Sequence, residues 1–123
     1  MKKKILIVDD QISVVKIVSD VLKKGEYEII TAANGQLGIE SAIANKPDLI
    51  IMDIMMPVKT GLEAIKEIKQ IDSVKSIPIL VLTAKGGGND LDSALSLGAS
   101  GFLAKPFSPR AILDEVSRLI ETV

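Results

Sequence analysis

The chain has 123 residues, of which 47% are apolar and only 2% aromatic, so its length and composition fit one domain with an aliphatic core. It contains no cysteine and no histidine, which excludes a disulfide framework, a thiolate site, and the commonest general base and transition-metal ligand. The 15 basic and 16 acidic residues leave a net charge of -1, which argues against nucleic acid as a direct partner.

Short apolar runs alternate with amphipathic segments along the whole chain. The runs are residues 5–8, 27–32, 49–52, 79–82 and 102–104. The segments that follow them carry apolar residues at helical spacing, which are Val14, Ile17, Val18, Val21 and Leu22; Ile39, Ala42 and Ile43; Leu62, Ile65 and Ile68; Leu91, Ala94 and Leu95; and Ile112, Leu113, Val116, Leu119 and Ile120. A crossover from strand through helix to strand joins parallel strands. The pattern therefore predicts an α/β fold with a doubly wound, five-stranded parallel sheet and helices on both faces.

The composition of the runs agrees with a sheet that is covered on both faces. The first, third and fourth runs are continuously apolar, as expected for strands in the middle of such a sheet. The second run is more polar at its ends, which predicts an edge strand. Ser108 followed by Pro109 is typical of an N-cap and a first helical residue, so the last helix is predicted to begin there. Phe102, one of two phenylalanines, is predicted to lie in the core.

Residues that commonly bind phosphate or metal stand at the ends of four runs. Asp9 and Asp10 follow the first run, Asp53 follows the third, Thr83 the fourth and Lys105 the fifth. Because parallel strands end at the same edge of a sheet, we expect these side chains to converge. Three neighbouring carboxylates repel one another unless a cation neutralises them, and Mg²⁺ prefers such oxygen ligands together with a phosphoryl oxygen. The pattern predicts a magnesium site that binds a phosphoryl group.

Each of these residues also has an ordinary structural interpretation. Asp9 and Asp10 suit the cap and first turn of a helix, and Thr83 suits a strand. Lys105 is a residue that commonly extends to solvent from a strand end. However, a cis peptide bond between Lys105 and Pro106 would direct the lysine side chain back over the edge of the sheet.

The set of Asp9, Asp10, Asp53, Thr83 and Lys105 with its following proline closely resembles the receiver domain of two-component response regulators. Four strings carry the resemblance in order, namely ILIVDD, PDLIIMDIMMP, IPILVLTA and GASGFLAKPF. Since the resemblance covers nearly the whole chain, we expect residues 1–123 to form one receiver domain with no effector domain. It implies a flavodoxin-like fold with strand order 2-1-3-4-5.

The resemblance also implies the phosphate chemistry of the site. Asp53 would accept a phosphoryl group from a sensor histidine kinase, a histidine phosphotransfer protein or a small phosphodonor. Asp10, Asp53 and the backbone carbonyl of Met55 would bind Mg²⁺ or Mn²⁺, and Asp9 would act mostly through a bound water. The domain would be a signalling phospho-acceptor that catalyses only its own phosphorylation and dephosphorylation, in the cytoplasm and with no membrane partner.

A conformational switch is a further implication of the resemblance. Lys105 would pair with a phosphoryl oxygen, and the backbone at Ala84 would contact the same group. The Thr83 hydroxyl would move towards the phosphoryl group, and the ring of Phe102 would turn inward to fill the space. A downstream protein would bind an output face formed by residues 90–97, Gly101–Ala104 and Pro109–Glu121.

Two apolar residues of the first predicted helix, Ile12 and Val15, lie outside its core stripe. Isolated exposed apolar residues are ordinary on protein surfaces. Because these two lie close to the acidic pair, the alternative hypothesis is that they dock the phosphodonor protein, which is the role that the resemblance implies for this helix.

Three other functions are alternatives to that of a receiver domain. A phosphatase of the haloacid dehalogenase type needs a second acid two residues after its nucleophile, where this chain has Met55. A flavodoxin-like cofactor binder needs aromatic residues to hold a flavin, and this chain has only Tyr27, Phe102 and Phe107. A scaffold that keeps the receiver core without accepting phosphate is compatible with the sequence.

Overall fold

The computed structural model describes residues 2–54, 56, 59–83 and 88–121, with the backbone alone at 88–91 and 121. The strands are β1 (Lys4–Val8), β2 (Glu28–Ala32), β3 (Leu49–Asp53), β4 (Ile79–Thr83) and β5 (Gly101–Ala104). The helices are α1 (Ile12–Lys24), α2 (Gly35–Asn45), α3 (Gly61–Ile68), α4 (Gly88–Ser96) and α5 (Pro109–Glu121). No helix in these described ranges is both long and apolar enough to span a membrane.

The five strands form one parallel sheet in the order β2-β1-β3-β4-β5. The predicted fold class and strand order are therefore confirmed. β3 and β4 are buried along their whole length and β1 is nearly so, whereas β2 is an edge strand with exposed positions. The polar ends of the second apolar run thus correctly predicted an edge.

Helices on the two faces of the sheet divide the core into two apolar clusters. α2, α3 and α4 cover one face, where the buried residues include Leu6, Val8, Ile39, Ile50, Met52, Ile65, Ile68, Val81 and Ala94. α1 and α5 cover the other face, where they include Ile5, Ile7, Val18, Leu22, Leu49, Ile51, Leu80, Ile112 and Val116. Successive strand residues point to opposite faces, so the continuous apolar runs supply both clusters. Each buried aliphatic side chain contributes about 1.5–3 kcal/mol, and this packing holds the strand ends in place.

Four apolar residues that the sequence assigned to the core lie at the surface instead. Three of them, Ile17, Ile43 and Leu95, belong to predicted helical stripes but are exposed. Each of these helices buries a narrower strip of its surface against the sheet than its apolar residues cover. Phe102 is 45% exposed, so its predicted core position is wrong. It lies on β5, the last strand of the sheet, where the neighbouring Leu103 takes the position that packs on the α1 and α5 side.

Side-chain caps define where several helices begin. The side chains of Asn34 and Thr60 accept hydrogen bonds from the first turns of α2 and α3, and Glu63 completes a capping box at α3. Ser108 Oγ accepts a bond from the Ala111 N–H at 3.1 Å, which confirms the predicted start of α5. α1 differs, because its N-cap residue Gln11 makes no capping bond with its side chain.

Candidate functional site

Two neighbouring strands bring three carboxylates together at the carboxyl edge of the sheet. β1 pairs with β3, so Asp9, which follows β1 directly, lies beside Asp53, the last residue of β3. Asp9 and Asp53 are only 2% and 5% exposed, whereas Asp10 is exposed. One carboxylate oxygen from each of the three lies within 4.8 Å of the others. The structure therefore brings together the aspartates that the sequence singled out.

The ammonium group of Lys105 lies against this acidic cluster. The Lys105 N–H donates to the carbonyl of Thr83 at 2.8 Å, which ties the residue after β5 to the end of β4. Lys105 Nζ is 3.4 Å from Asp53 Oδ2 and 3.7 Å from Asp9 Oδ2. The peptide bond from Lys105 to Pro106 is cis, the isomer considered from the sequence. A cation thus borders the two buried carboxylates.

Thr83 and Phe102 lie on adjacent strands near the same edge. Thr83 is the buried last residue of β4, and Phe102 pairs with Val81, two residues before it. Thr83 therefore ends its strand at the sheet edge that carries Asp53, while the aromatic ring of Phe102 is at the surface. Met55 and Ala84, the other two residues predicted for the site, lie outside the described residues.

Asp9 is a carboxylate whose ionised form is destabilised by its surroundings in the fold. Burial raises its pKa to about 6; the backbone N–H of Gln11 opposes this rise, the charge of Asp53 adds to it, and Lys105 opposes it. Asp9 Oδ1 accepts the Gln11 N–H at 2.9 Å, but Oδ2 is buried with no hydrogen-bond partner. A buried carboxylate oxygen that accepts no hydrogen bond costs free energy, and the Lys105 ammonium at 3.7 Å is too distant to donate a strong one. A cation bound at this position would remove that cost.

The donor atoms of the cluster suit a hard divalent cation. Mg²⁺ takes oxygen ligands, keeps several waters, and is commonly held by one or two carboxylates. Asp9 and Asp53 offer buried oxygens, and Asp10 offers an exposed one towards solvent. A single ammonium from Lys105 does not neutralise three carboxylates when all are ionised. The residues present therefore fit the predicted magnesium site.

Gln11 also lies at this site, although its residue type did not single it out as a phosphate or metal residue. Its backbone N–H binds Asp9, and its side-chain Oε1 lies 3.4 Å from Lys105 Nζ. The available sequence signal is indirect, because a glutamine stands where a helix start favours serine, threonine, aspartate or asparagine.

Comparison with known proteins shows the family of this chain. The family model for the response regulator receiver domain matches residues 5–117. The chain belongs to the response regulator receiver family. This receiver domain is 40% identical to the alkaline phosphatase synthesis transcriptional regulatory protein PhoP of Bacillus subtilis, over 98% of this chain but 49% of that protein. It is 36% identical to the chemotaxis protein CheY of Thermotoga maritima, over 97% of this chain and 98% of CheY. The chain thus spans about half of PhoP and nearly all of CheY.

Solved structures share the architecture of this receiver domain. Vibrio cholerae CheY4 matches with a TM-score of 0.90 and 37% identity, over 97% of this chain and 99% of that one. The receiver domain of the sensor histidine kinase PA1611 from Pseudomonas aeruginosa matches with a TM-score of 0.91 and 29% identity, over 98% and 99% of the two chains. That structure has a magnesium ion coordinated in its active-site cleft. The resemblance stated from the sequence motifs is confirmed.

Proposed function

We propose that this receiver domain accepts a phosphoryl group on Asp53 from a histidine kinase or a histidine phosphotransfer protein, in a reaction that depends on Mg²⁺. The observation that carries the proposal is the cluster of three carboxylates within 4.8 Å, with the Lys105 ammonium 3.4 Å from Asp53. Membership of the receiver family supports it.

Asp53 is the proposed nucleophile because it ends a central strand and is the nearer of the two buried carboxylates to the Lys105 ammonium. One carboxylate oxygen attacks the phosphorus of a phosphohistidine, and the new O–P bond forms as the P–N bond breaks. The electron pair of the P–N bond stays on the imidazole nitrogen of the donor. Lys105 would pair with a phosphoryl oxygen. Asp9, Asp10 and Asp53 would hold Mg²⁺ or Mn²⁺, with the Met55 carbonyl as a further ligand. When bound, the ion would neutralise part of the negative charge on the phosphoryl group.

Phosphorylation would act as a signal through the surface beside the site. In this proposal the Thr83 hydroxyl bonds the new phosphoryl group, together with the backbone at Ala84, and the exposed Phe102 ring turns into the space that Thr83 leaves. The burial of Thr83 at the site and the exposure of Phe102 on the adjacent strand support this arrangement. The output face of α4, β5 and α5 would then bind a downstream protein.

Intact mass after incubation with Mg²⁺ and acetyl phosphate tests the proposed acceptor. We expect one phosphoryl adduct on the parent and none on Asp53→Asn, because the amide is not a nucleophile at phosphorus. Asp20→Asn, an exposed position on α1, is the matched control and is expected to keep the adduct. Omitting Mg²⁺ should slow labelling by about tenfold or more. A folded, Mg²⁺-loaded parent that takes no adduct would contradict the proposal.

Ile12 is the apolar residue best placed to dock a phosphodonor protein. It begins α1, next to the acidic cluster, and is 84% exposed. Val15 is half-buried and packs on the α1 and α5 side of the core, so a substitution there would also disturb the fold. The docking hypothesis therefore narrows to Ile12.

Ile12→Asp is expected to slow phosphotransfer from a histidine kinase about tenfold while labelling by acetyl phosphate stays within about twofold of the parent, because only the protein donor needs this contact. Rates with the two donors measure the difference. Ile43→Asp, at an exposed apolar position on α2, is the control. Equal slowing with both donors would contradict docking through Ile12.

A further inference from the structure

Gln11 stands at a helix start where local preferences favour another residue. It is the N-cap of α1, and its side chain makes no capping hydrogen bond. α2 and α3 begin after Asn34 and Thr60, whose side chains accept such bonds. A residue that departs from a local rule at the edge of a functional site points to a role outside its own helix.

The side chain of Gln11 instead reaches a residue 94 positions along the chain. Its Oε1 lies 3.4 Å from Lys105 Nζ, and the same Nζ lies 3.4 Å from Asp53 Oδ2 and 3.7 Å from Asp9 Oδ2. These distances exceed the roughly 2.7–3.2 Å of a strong N–H···O bond. The ammonium is therefore shared between a neutral carboxamide and two buried carboxylates.

We propose that Gln11 is a positioning residue whose carboxamide oxygen draws the Lys105 ammonium away from Asp53 and so keeps the Asp53 carboxylate available to a divalent cation. An ammonium that loses its neutral acceptor shifts towards the remaining anionic acceptors, because charge-assisted hydrogen bonds are shorter and stronger than neutral ones. A closer Lys105–Asp53 pair competes with Mg²⁺ for the same oxygens. The part of the inference that concerns phosphoryl transfer rests on the proposed function; the part that concerns Mg²⁺ does not.

Gln11→Met tests the role of the carboxamide, since methionine has a similar length and no strong acceptor. We expect the Kd for Mg²⁺, measured by calorimetry with magnesium chloride, to rise about three- to tenfold. The phosphorylation rate with acetyl phosphate should fall by a similar factor at low Mg²⁺ and return to the parent rate at saturating Mg²⁺. An unchanged Kd for Mg²⁺ would overturn the inference.

Gln11→Ser separates positioning from helix capping. Serine is too short to reach Lys105 but supplies the hydroxyl that a helix start favours. It should raise the Kd for Mg²⁺ as methionine does, while the free energy of unfolding of the metal-free protein increases. If Mg²⁺ affinity instead follows the stability of α1 across the two variants, the positioning role is wrong.

A double-mutant cycle with Lys105→Met decides whether Gln11 acts through the ammonium. In the Lys105→Met background, Gln11→Met should leave the Kd for Mg²⁺ unchanged, because there is no ammonium to position. An equal rise in both backgrounds would show that Gln11 acts by another route and would overturn the inference. A parent that binds Mg²⁺ but takes no phosphoryl group contradicts the proposed function alone, and a parent that binds no Mg²⁺ contradicts both.

Discussion

Replacing Gly61 with alanine is expected to lower the free energy of unfolding by about 3 kcal/mol and to slow phosphorylation of Asp53 about 10- to 100-fold. Gly61 begins α3 directly against the end of β3, and its N–H donates to the carbonyl of Ile54 at 2.8 Å. A Cβ at this position would lie 2.2 Å from the Asp53 carbonyl oxygen and 2.7 Å from the Ile54 Cα. These are backbone atoms and cannot rotate away, so the start of α3 must move off the strand end that carries the proposed nucleophile.

Urea denaturation followed by far-UV circular dichroism measures the stability effect of Gly61→Ala, and acetyl phosphate labelling well below the unfolding temperature measures the effect on the site. Gly25→Ala is the control, because its added Cβ would meet side-chain atoms of Tyr27 and Leu113 at 3.1 and 3.2 Å. These side chains can adjust, so we expect a cost below about 1 kcal/mol and normal labelling. A Gly61→Ala protein as stable as the parent would contradict the close approach of α3 to β3.

Asp9→Asn is expected to raise the free energy of unfolding of the metal-free protein at pH 7 by about 2–3 kcal/mol. Burial of Asp9, with a smaller contribution from Asp53, raises its pKa from 3.8 to about 6, so its ionised form is less stable in the folded protein than in the unfolded chain. Asparagine keeps an oxygen for the Gln11 N–H and removes the charge. Urea denaturation in the presence of a chelator measures the gain.

The free energy of unfolding of the metal-free parent should depend on pH through the titration of Asp9. Because the folded-state pKa of about 6 lies above 3.8, protonation of Asp9 favours the folded state, and this stabilisation is complete below pH 3.8 and lost as the pH rises through 6. The advantage of Asp9→Asn should therefore be largest above pH 6 and disappear near pH 4.

Magnesium provides an independent check on the same substitution. Saturating Mg²⁺ should stabilise the parent more than Asp9→Asn, because the variant lacks one carboxylate of the proposed site. Asp20→Asn, exposed on α1, should change stability little under every condition. An Asp9→Asn protein that is less stable than the metal-free parent at pH 7 would show that the buried charge is compensated in the fold.

Much of the fold and most of the candidate site follow from patterns that are local in the sequence. A continuous apolar run identifies a strand with both faces covered, and a polar residue after it identifies a strand end. Asp9, Asp53, Thr83 and Lys105 were found in this way, because parallel strands place their carboxyl ends together whatever the details of packing.

These patterns did not predict which apolar residues are exposed. Helical spacing placed Ile17, Ile43 and Leu95 on core stripes, but the width of each buried strip depends on how the helix crosses the sheet. Phe102 looked like a core residue, yet its strand is an edge strand and its ring is at the surface. These outcomes depend on which elements become neighbours.

The sequence by itself determined the alternating α/β architecture and the set of polar residues at the strand ends, because the period of apolar residues is a local property of the chain. The strand order was implied by the resemblance of its motifs to the receiver family. Only the tertiary structure decided that Gln11 reaches Lys105, that α3 begins within contact of the Asp53 carbonyl, and that Asp9 has a raised pKa. These features depend on distances between elements that are remote in sequence and on the removal of water around a charge. Neither the distances nor the loss of water can be predicted from the spacing of residues along one element.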